Sequence, residues 1–142
     1  MTPIEEMIRE EKISFPSAPG NITIVEKLIN NICSNYQVSE DYYGNILVAV
    51  TEAVNNAMQH GNKLDPAKTV EVEYKAEEKS LSFAIHDQGD GFDFDHLPDP
   101  TNPENLEKPS GRGVFLMRHL ADKVEFFDSG RTVLLNFMLS QN

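Results

Sequence analysis

Strict alternation of apolar and polar side chains in two neighbouring segments constrains the fold of this chain more than any other feature. Valine and tyrosine alternate with charged residues over 70–75, and leucine, phenylalanine and isoleucine occupy every second position over 81–85. A period of two is typical of strands with one buried and one exposed face. The polar segment 77–79 between them is too short for a crossover connection, so the pattern predicts an antiparallel hairpin.

Apolar residues at helical spacing predict three helices, over residues 21–35, 39–60 and 114–120. A short alternating segment at 12–15 predicts a strand before them, and a second hairpin is expected over 124–139, around a Ser-Gly turn. The resulting order is strand, helix, helix, strand, strand, helix, strand, strand. It predicts a two-layer α/β sandwich with the helices on one face of a mostly antiparallel sheet.

The length and net charge of the chain indicate how many domains it has and which classes of ligand it can bind. We expect one domain over residues 1–142, with residues 1–10 as a frayed N-terminal segment. The chain carries 12 Lys and Arg residues against 23 Asp and Glu residues, a net charge of −11. This charge argues against direct binding to nucleic acid and against adsorption to anionic membranes. It allows a nucleotide ligand, because Mg²⁺ and backbone N–H groups neutralise phosphates locally.

The compartment follows from cysteine usage and from the absence of targeting patterns. The single cysteine, Cys33, excludes an intrachain disulfide and a multi-cysteine zinc site. The N-terminal residues lack the apolar run of a secretory signal, and no segment is apolar over the length of a membrane span. We therefore expect a cytoplasmic protein.

The second predicted helix carries the first group of candidate site residues. Glu52, Asn56 and His60 are spaced four apart and lie within roughly 80° of arc on one side of the helix. Val48 and Ala49 flank this strip, so it is expected to be partly covered rather than fully solvated. A carboxylate and an amide oxygen one turn apart have the chemistry of a general base and a Mg²⁺ ligand. The alternative is an ordinary solvated helix face.

The second group follows the second strand of the first hairpin. Asp87 shares the parity of the apolar positions in that strand and continues its buried face, where an unpaired carboxylate is costly. It therefore requires a hydrogen-bond donor, for which the exocyclic amine of a base is suited. Gly89 and Gly91 allow positive φ and close approach of a ligand. The alternative is an Asp-Gly turn in which the aspartate caps the backbone.

The third group opens the third predicted helix. Residues 89–113 form a long aperiodic segment that ends in Gly111, Arg112 and Gly113. Glycines before a helix present N–H groups to an anion, the helix dipole adds to this, and arginine reaches phosphate. The alternative is a flexible loop with a glycine cap, since the spacing is not that of a P-loop.

Taken together and in this order, the three groups resemble the motifs of the GHKL family of ATP-binding domains, which includes gyrase, mismatch-repair ATPases and histidine kinases. Residues 51–62 resemble the N box, residues 87–91 the first glycine box and residues 111–117 the second. The small size and short lid are most similar to the bacterial anti-sigma-factor serine/threonine kinases. The resemblance covers roughly residues 10 to 140.

The resemblance implies ATP and Mg²⁺ as cofactors and assigns roles to individual residues. Asn56 would hold Mg²⁺, and Glu52 would be the general base for a serine hydroxyl. Asp87 would accept a hydrogen bond from the adenine amino group. The other implied cofactor-binding residues are His60, Gly89 and Gly91 at the pocket, and Gly111, Arg112 and Gly113, which would close over the phosphates. The resemblance implies an ATP lid over residues 92–112.

The implied activity is that of a Mg-ATP-dependent serine/threonine protein kinase. Its expected partners are a small anti-sigma-factor antagonist, which it phosphorylates, and a sequestered protein such as a sigma factor. The alternative is an ATP-regulated protein-binding switch with little turnover, which needs the same pocket. A histidine-kinase catalytic domain is disfavoured, because that resemblance usually carries an amide residue at the position of Glu52.

The last predicted strand suggests an interface. Leu134 and Met138 are expected to face away from the helices, and Phe127 on the neighbouring strand is placed to join them. Such a face is expected either as a homodimer or partner surface, or as a slightly apolar but unoccupied sheet surface.

Overall fold

The computed structural model describes residues 9–91 and 109–139, which form five strands and three helices. The elements are β1 (Arg9–Pro16), α1 (Ile22–Asn35), α2 (Glu40–Asn56), β2 (Thr69–Glu77), β3 (Ser80–His86), α3 (Pro109–Leu120), β4 (Lys123–Phe127) and β5 (Thr132–Met138). The strands form one sheet in the order β1-β2-β3-β5-β4, with every neighbouring pair antiparallel. The expected two-layer sandwich is confirmed.

The register of the central strands places one face of the sheet against the helices. Val72 pairs with Ile85, and Ile85 in turn pairs with Val133, so that three buried side chains cross β2, β3 and β5 in one row. Arg9 and Glu10, expected in the frayed segment, belong to β1 instead; the rest of that segment lies outside the described residues.

Helices α1 and α2 cover this face with apolar side chains at helical spacing. In α1, Val25, Ile29 and Ile32 are buried, and in α2 the same holds for Ile46, Ala49, Val50, Ala53 and Val54. This amphipathic pattern is why both segments form helices on the sheet rather than free helices in solution. In the described part of the chain, no helix has both the length and the hydropathy needed to cross a bilayer.

Helix α2 ends earlier than expected. The sequence pattern predicted one helix to about His60, but α-helical geometry stops at Asn56 and one turn of π-helix, Ala57–Gly61, follows. The N–H of Asn62 closes this wider turn by donating to the carbonyl of Ala57 at 2.8 Å. The periodicity of the sequence does not show the change, because buried positions continue through the turn. Single π turns are frequent at functional sites.

Helix α3 begins earlier than expected. Gly111–Gly113 were predicted in a loop that opens a helix near residue 114, but the helix starts at Pro109. Proline is favourable in a first helical turn, where its missing N–H has no partner to lose. The predicted loop is therefore wrong over 109–113, while residues 92–108 of the expected lid lie outside the described residues.

Candidate functional site

A cavity opens where α2, its π turn and α3 meet the sheet. Its volume is about 190 Å³, far above the roughly 10–15 Å³ that one water requires. Apolar side chains form most of its wall, among them Ala53, Ala57, Ile85, Met117, Phe126 and Val133. The other lining residues are Asn56, His60, Gly61, Asp87, Gly91, Gly130 and Arg131. An apolar cavity with few convergent polar groups is the usual form of a small-molecule site.

Asp87 lies at the carboxyl end of β3 and lines this cavity. Its N–H donates to the carbonyl of Arg131 at 2.9 Å, and its Oδ1 accepts the N–H of Gly89 at 2.8 Å. Burial raises the pKa of Asp87, and the Gly89 hydrogen bond and the charge of Arg131 oppose this only in part. Because Oδ1 already accepts a hydrogen bond, a ligand donor would use Oδ2. The expected pocket position and the alternative of a capped turn are therefore both present.

The glycines bring the loop after β3 against the π turn. A Cβ added to Gly61 would lie 2.5 Å from the Asp87 carboxyl, and one added to Gly89 would lie 1.9 Å from the Gly61 carbonyl oxygen. Gly89 is buried and does not line the cavity. Its lack of a side chain instead lets the loop after β3 lie directly against the backbone of Gly61. Gly91, with φ of +85°, does line the cavity.

The strip on α2 reaches the cavity with two of its three residues. Asn56 and His60 line it, whereas Glu52 is half-buried and is not part of the lining. A Cβ on Gly113 of α3 would lie 2.7 Å from Nδ2 of Asn56, so α3 passes directly against this amide. The alternative of a solvated face does not describe Glu52 and Asn56, because both are half-buried.

The structure describes the backbone of Gly111, Arg112 and Gly113, the three glycine-box residues predicted to close over the phosphates. Gly111 and Arg112 are in the first turn of α3, and Gly113 is buried against Asn56. Gly113, which directly follows the first turn of α3, therefore lies against the amide of Asn56. Helix N-termini favour anions through their N–H groups and the helix dipole.

Comparison with known proteins identifies the architecture around this cavity. The family of histidine kinase-like ATPase domains matches this chain over residues 15–137. This chain belongs to that family. The resemblance inferred from the motifs is confirmed, and each of the three motif segments lies within the matched residues.

Relatives of this ATPase domain agree on the class of enzyme. The serine-protein kinase RsbW of Bacillus licheniformis is 32% identical over 137 residues, covering 92% of this chain and 86% of the relative. RsbW of Bacillus subtilis strain 168 is 28% identical over 136 residues, covering 91% and 85%. The expected enzyme class, a protein kinase, is confirmed by these relatives.

A solved structure supports the fold independently. The RsbU and RsbW domains of a Mycobacterium tuberculosis protein match with a TM-score of 0.65 at 15% sequence identity, covering 94% of this chain and 33% of that chain. At this level of identity the likeness concerns the fold alone.

Two polar residues of this ATPase domain were not assigned to the site by sequence reasoning. The first is Arg131, whose Nε donates to the carbonyl of Gly89 at 2.8 Å and whose Nη1 contacts the Asp128 carboxylate at 3.1 Å. The available signal was its position, a basic residue directly between the predicted Ser-Gly turn and the last strand.

The second is Asn62, the last residue of the N-box segment 51–62, to which the sequence assigned no role of its own. Its side chain is buried, with Nδ2 donating to Ser17 Oγ at 2.7 Å and to the Thr69 carbonyl at 2.9 Å. Its Oδ1 accepts the N–H of Gln88 at 2.7 Å. Asn62 therefore joins the π turn to β2 and to the loop that carries Asp87.

A polar cluster on the opposite face of the sheet stands apart from the cavity. Nε2 of His86 lies 2.8 Å from Glu73, its Nδ1 lies 2.9 Å from the Thr132 hydroxyl, and Lys12 pairs with Glu71 at 3.7 Å. These groups form hydrogen bonds and one ion pair at half-exposed or exposed positions, in keeping with a structural role for His86.

Proposed function

We propose that this domain is a Mg-ATP-dependent serine kinase that phosphorylates a small protein of the anti-sigma-factor antagonist type and sequesters a partner such as a sigma factor. The observation that carries the proposal is one cavity that both the Asp87 carboxylate and the Asn56 amide line. A carboxylate in an apolar pocket suits the amine of a base, and an amide oxygen beside a helix N-terminus suits Mg²⁺ and phosphate.

The apolar wall provides the site for the base. Ile85, Met117 and Val133 are buried apolar side chains that line the cavity and would contact a planar ring. Oδ2 of Asp87 would accept the hydrogen bond of an exocyclic amine. The residues present therefore fit adenine, with one polar contact giving orientation and the wall giving most of the contact area.

We assign the binding of Mg²⁺ and the phosphates to residues on α2 and α3. The amide oxygen of Asn56 is a hard ligand of the kind that Mg²⁺ prefers, and the ion supplies neutralisation of phosphate charge when bound. The first turn of α3 adds backbone N–H groups beside Asn56, and we assign Arg112 in that turn to a phosphate oxygen.

We assign Glu52 to the acceptor hydroxyl. Glu52 precedes Asn56 by one turn of α2, so its carboxylate is on the same side of the helix as the proposed Mg²⁺ ligand. In the reaction, the serine Oγ bonds to the γ-phosphorus while the bond from that phosphorus to its bridging oxygen breaks and ADP leaves. Glu52 accepts the hydroxyl proton.

One observation favours a second candidate, an ATP-regulated binding switch with little turnover. Glu52 is half-buried but does not line the cavity, and a general base must come within hydrogen-bond reach of its acceptor. A switch needs only the pocket and a surface for the partner, and the net charge of −11 suits a basic partner.

Two substitutions separate these functions. Glu52→Gln is expected to keep Mg-ATP affinity within about twofold and to lower phosphoryl transfer to an antagonist-type protein by roughly 100-fold or more. Asn56→Ala is expected to weaken Mg-ATP binding itself by about tenfold. Calorimetric titration measures the affinity, and transfer of labelled phosphate measures the reaction.

Glu26→Gln is the matched control, because Glu26 is an exposed carboxylate on α1, outside the cavity lining. It should leave both quantities unchanged. Transfer by Glu52→Gln at the wild-type rate would show that the base assignment is wrong. Wild-type protein that binds Mg-ATP but transfers no phosphate to the antagonist would favour the switch.

A further inference from the structure

Arg131 joins two loops that both contribute to the lining of the cavity. The first is the loop 87–91 after β3, and the second is the turn Asp128–Gly130 before β5. Its Nε donates to the Gly89 carbonyl at 2.8 Å, and Nη2 lies 3.5 Å from the carbonyl of Asp90. Its Nη1 donates to both the carbonyl and the carboxylate of Asp128 at 3.1 Å. One guanidinium therefore holds both loops.

The backbones of the two loops also lie directly against each other. A Cβ on Gly91 would lie 2.3 Å from the carbonyl oxygen of Ser129. Asp128 and Ser129 have φ values of 53° and 56°, in the left-handed region that non-glycine residues adopt at a cost. The contacts of Arg131 with Asp128 offset that cost and keep the turn against the loop.

Gly89 links Arg131 to the Asp87 carboxylate by two hydrogen bonds. Gly89 accepts the Nε hydrogen of Arg131 through its carbonyl and donates its own N–H to Oδ1 of Asp87. The carbonyl of Arg131 also accepts the N–H of Asp87 at 2.9 Å. Arg131 thus holds the backbone at Asp87 and at Gly89, and through Gly89 the orientation of the Asp87 carboxylate.

We propose that Arg131 is the positioning residue that determines base selectivity at this site, by holding Gly89 so that Asp87 accepts the exocyclic amine of adenine. This inference rests on the proposed ATP-binding function. Guanine carries a carbonyl oxygen where adenine carries its amine. A carboxylate held opposite this atom therefore opposes guanine, and a carboxylate free to move away from it does not.

The hydrogen-bonding geometry of the Arg131 guanidinium and its positive charge can be tested separately. Arg131 and Lys68 both lower the pKa of Asp87 by their charge, and Asp128 raises it. A lysine at position 131 keeps the charge but loses the planar fork, so one ammonium cannot reproduce the donors that hold Gly89 and Asp128 together. Lys68→Gln does the opposite, because it removes a nearby charge and leaves the fork intact.

The test is the ratio of ATP to GTP affinity in the presence of Mg²⁺, measured by calorimetry for wild type, Arg131→Lys, Arg131→Gln and Lys68→Gln. We expect the Arg131 variants to lose about tenfold in ATP affinity and little in GTP affinity, so that the ratio falls by about the same factor. Lys68→Gln should keep the wild-type ratio. Thermal unfolding identifies the folded variants, and Arg131→Lys decides the result if Arg131→Gln does not fold.

The outcomes distinguish the inference from the function on which it rests. Wild type that binds ATP, with an unchanged ratio in Arg131→Lys, overturns the inference and leaves the proposed function intact. Equal loss of both nucleotides shows a structural role only and also overturns it. Wild type that binds neither nucleotide overturns both.

Discussion

Asp87 is a single residue that serves the candidate site at a cost to the stability of the fold. Its parity in β3 turns it toward the core, and the structure leaves it half-buried at the cavity. Desolvation raises its pKa more than the Gly89 N–H and the Arg131 charge lower it. The folded state therefore binds the proton of this carboxyl more tightly than the unfolded state does.

The sign of the resulting pH dependence follows from linkage. The folded-state pKa of Asp87 is raised, so its ionised form destabilises the protein above that pKa, and the penalty disappears as the carboxyl becomes protonated at lower pH. Asn cannot ionise. Asp87→Asn is therefore expected to melt at a higher temperature than wild type at pH 7 without nucleotide, with a difference that shrinks as the pH falls.

Melting curves recorded between about pH 4 and pH 7 measure this difference. Asp90→Asn is the control, because Asp90 is an exposed neighbour whose change should leave only a small difference in melting temperature. A variant at position 87 that melts below wild type at pH 7 would show that the Gly89 hydrogen bond outweighs desolvation.

The π turn after α2 is the element on which the site depends. It brings Gly61 against Asp87 and directs the side chain of Asn62 into the protein between β2 and the loop after β3. A continuous α-helix would advance by a different angle over Ala57–Gly61 and would not present Asn62 to the same partners.

Asn62→Ala tests this connection. The change removes the partners of Gln88 N–H and of Ser17 Oγ in a buried position, and is expected to cost about 2–3 kcal/mol in the free energy of unfolding. Urea denaturation measures it. Asn45→Ala, at an exposed position of α2, should be neutral or slightly stabilising. A loss at position 62 no larger than at position 45 would contradict the role of Asn62.

At the scale of the whole molecule, the cavity joins the helical layer to the sheet. Ala53 and Asn56 belong to α2, Met117 to α3 and Val133 to β5, so a ligand in the cavity contacts three elements at once. Met138 and Phe127 are about half exposed on the other face of the sheet, at 47% and 48%. The homodimer or partner surface expected there stays a prediction, as does the cytoplasmic location.

Ligand binding across these elements should stabilise the fold. Mg-ATP at about 100 times its Kd is expected to add roughly 2.7 kcal/mol to the free energy of unfolding, because it binds only the folded state. Differential scanning calorimetry with and without Mg-ATP measures the rise in Tm. Mg²⁺ alone is the control and should give little change. An unchanged Tm at millimolar Mg-ATP would contradict nucleotide binding.

Local patterns in the sequence determined which elements form and in which order. Side-chain periodicity indicated five strands and three helices, and the motif segments indicated the family. The placement of Asn56, His60 and Asp87 around one site was also predictable, because the resemblance carries their spatial relation. These features depend on residues close together in the chain or on a motif as a unit.

The tertiary structure alone decided where α2 ends, where α3 begins, and how Arg131 and Asn62 act. Arg131 is 42 residues from Gly89, and Asn62 is 45 residues from Ser17. Such hydrogen bonds form only after the strands have paired and the loops have met, because each requires a donor and an acceptor that local conformation does not bring together. Burial then makes their geometry energetically important, since a buried polar group without a partner is costly.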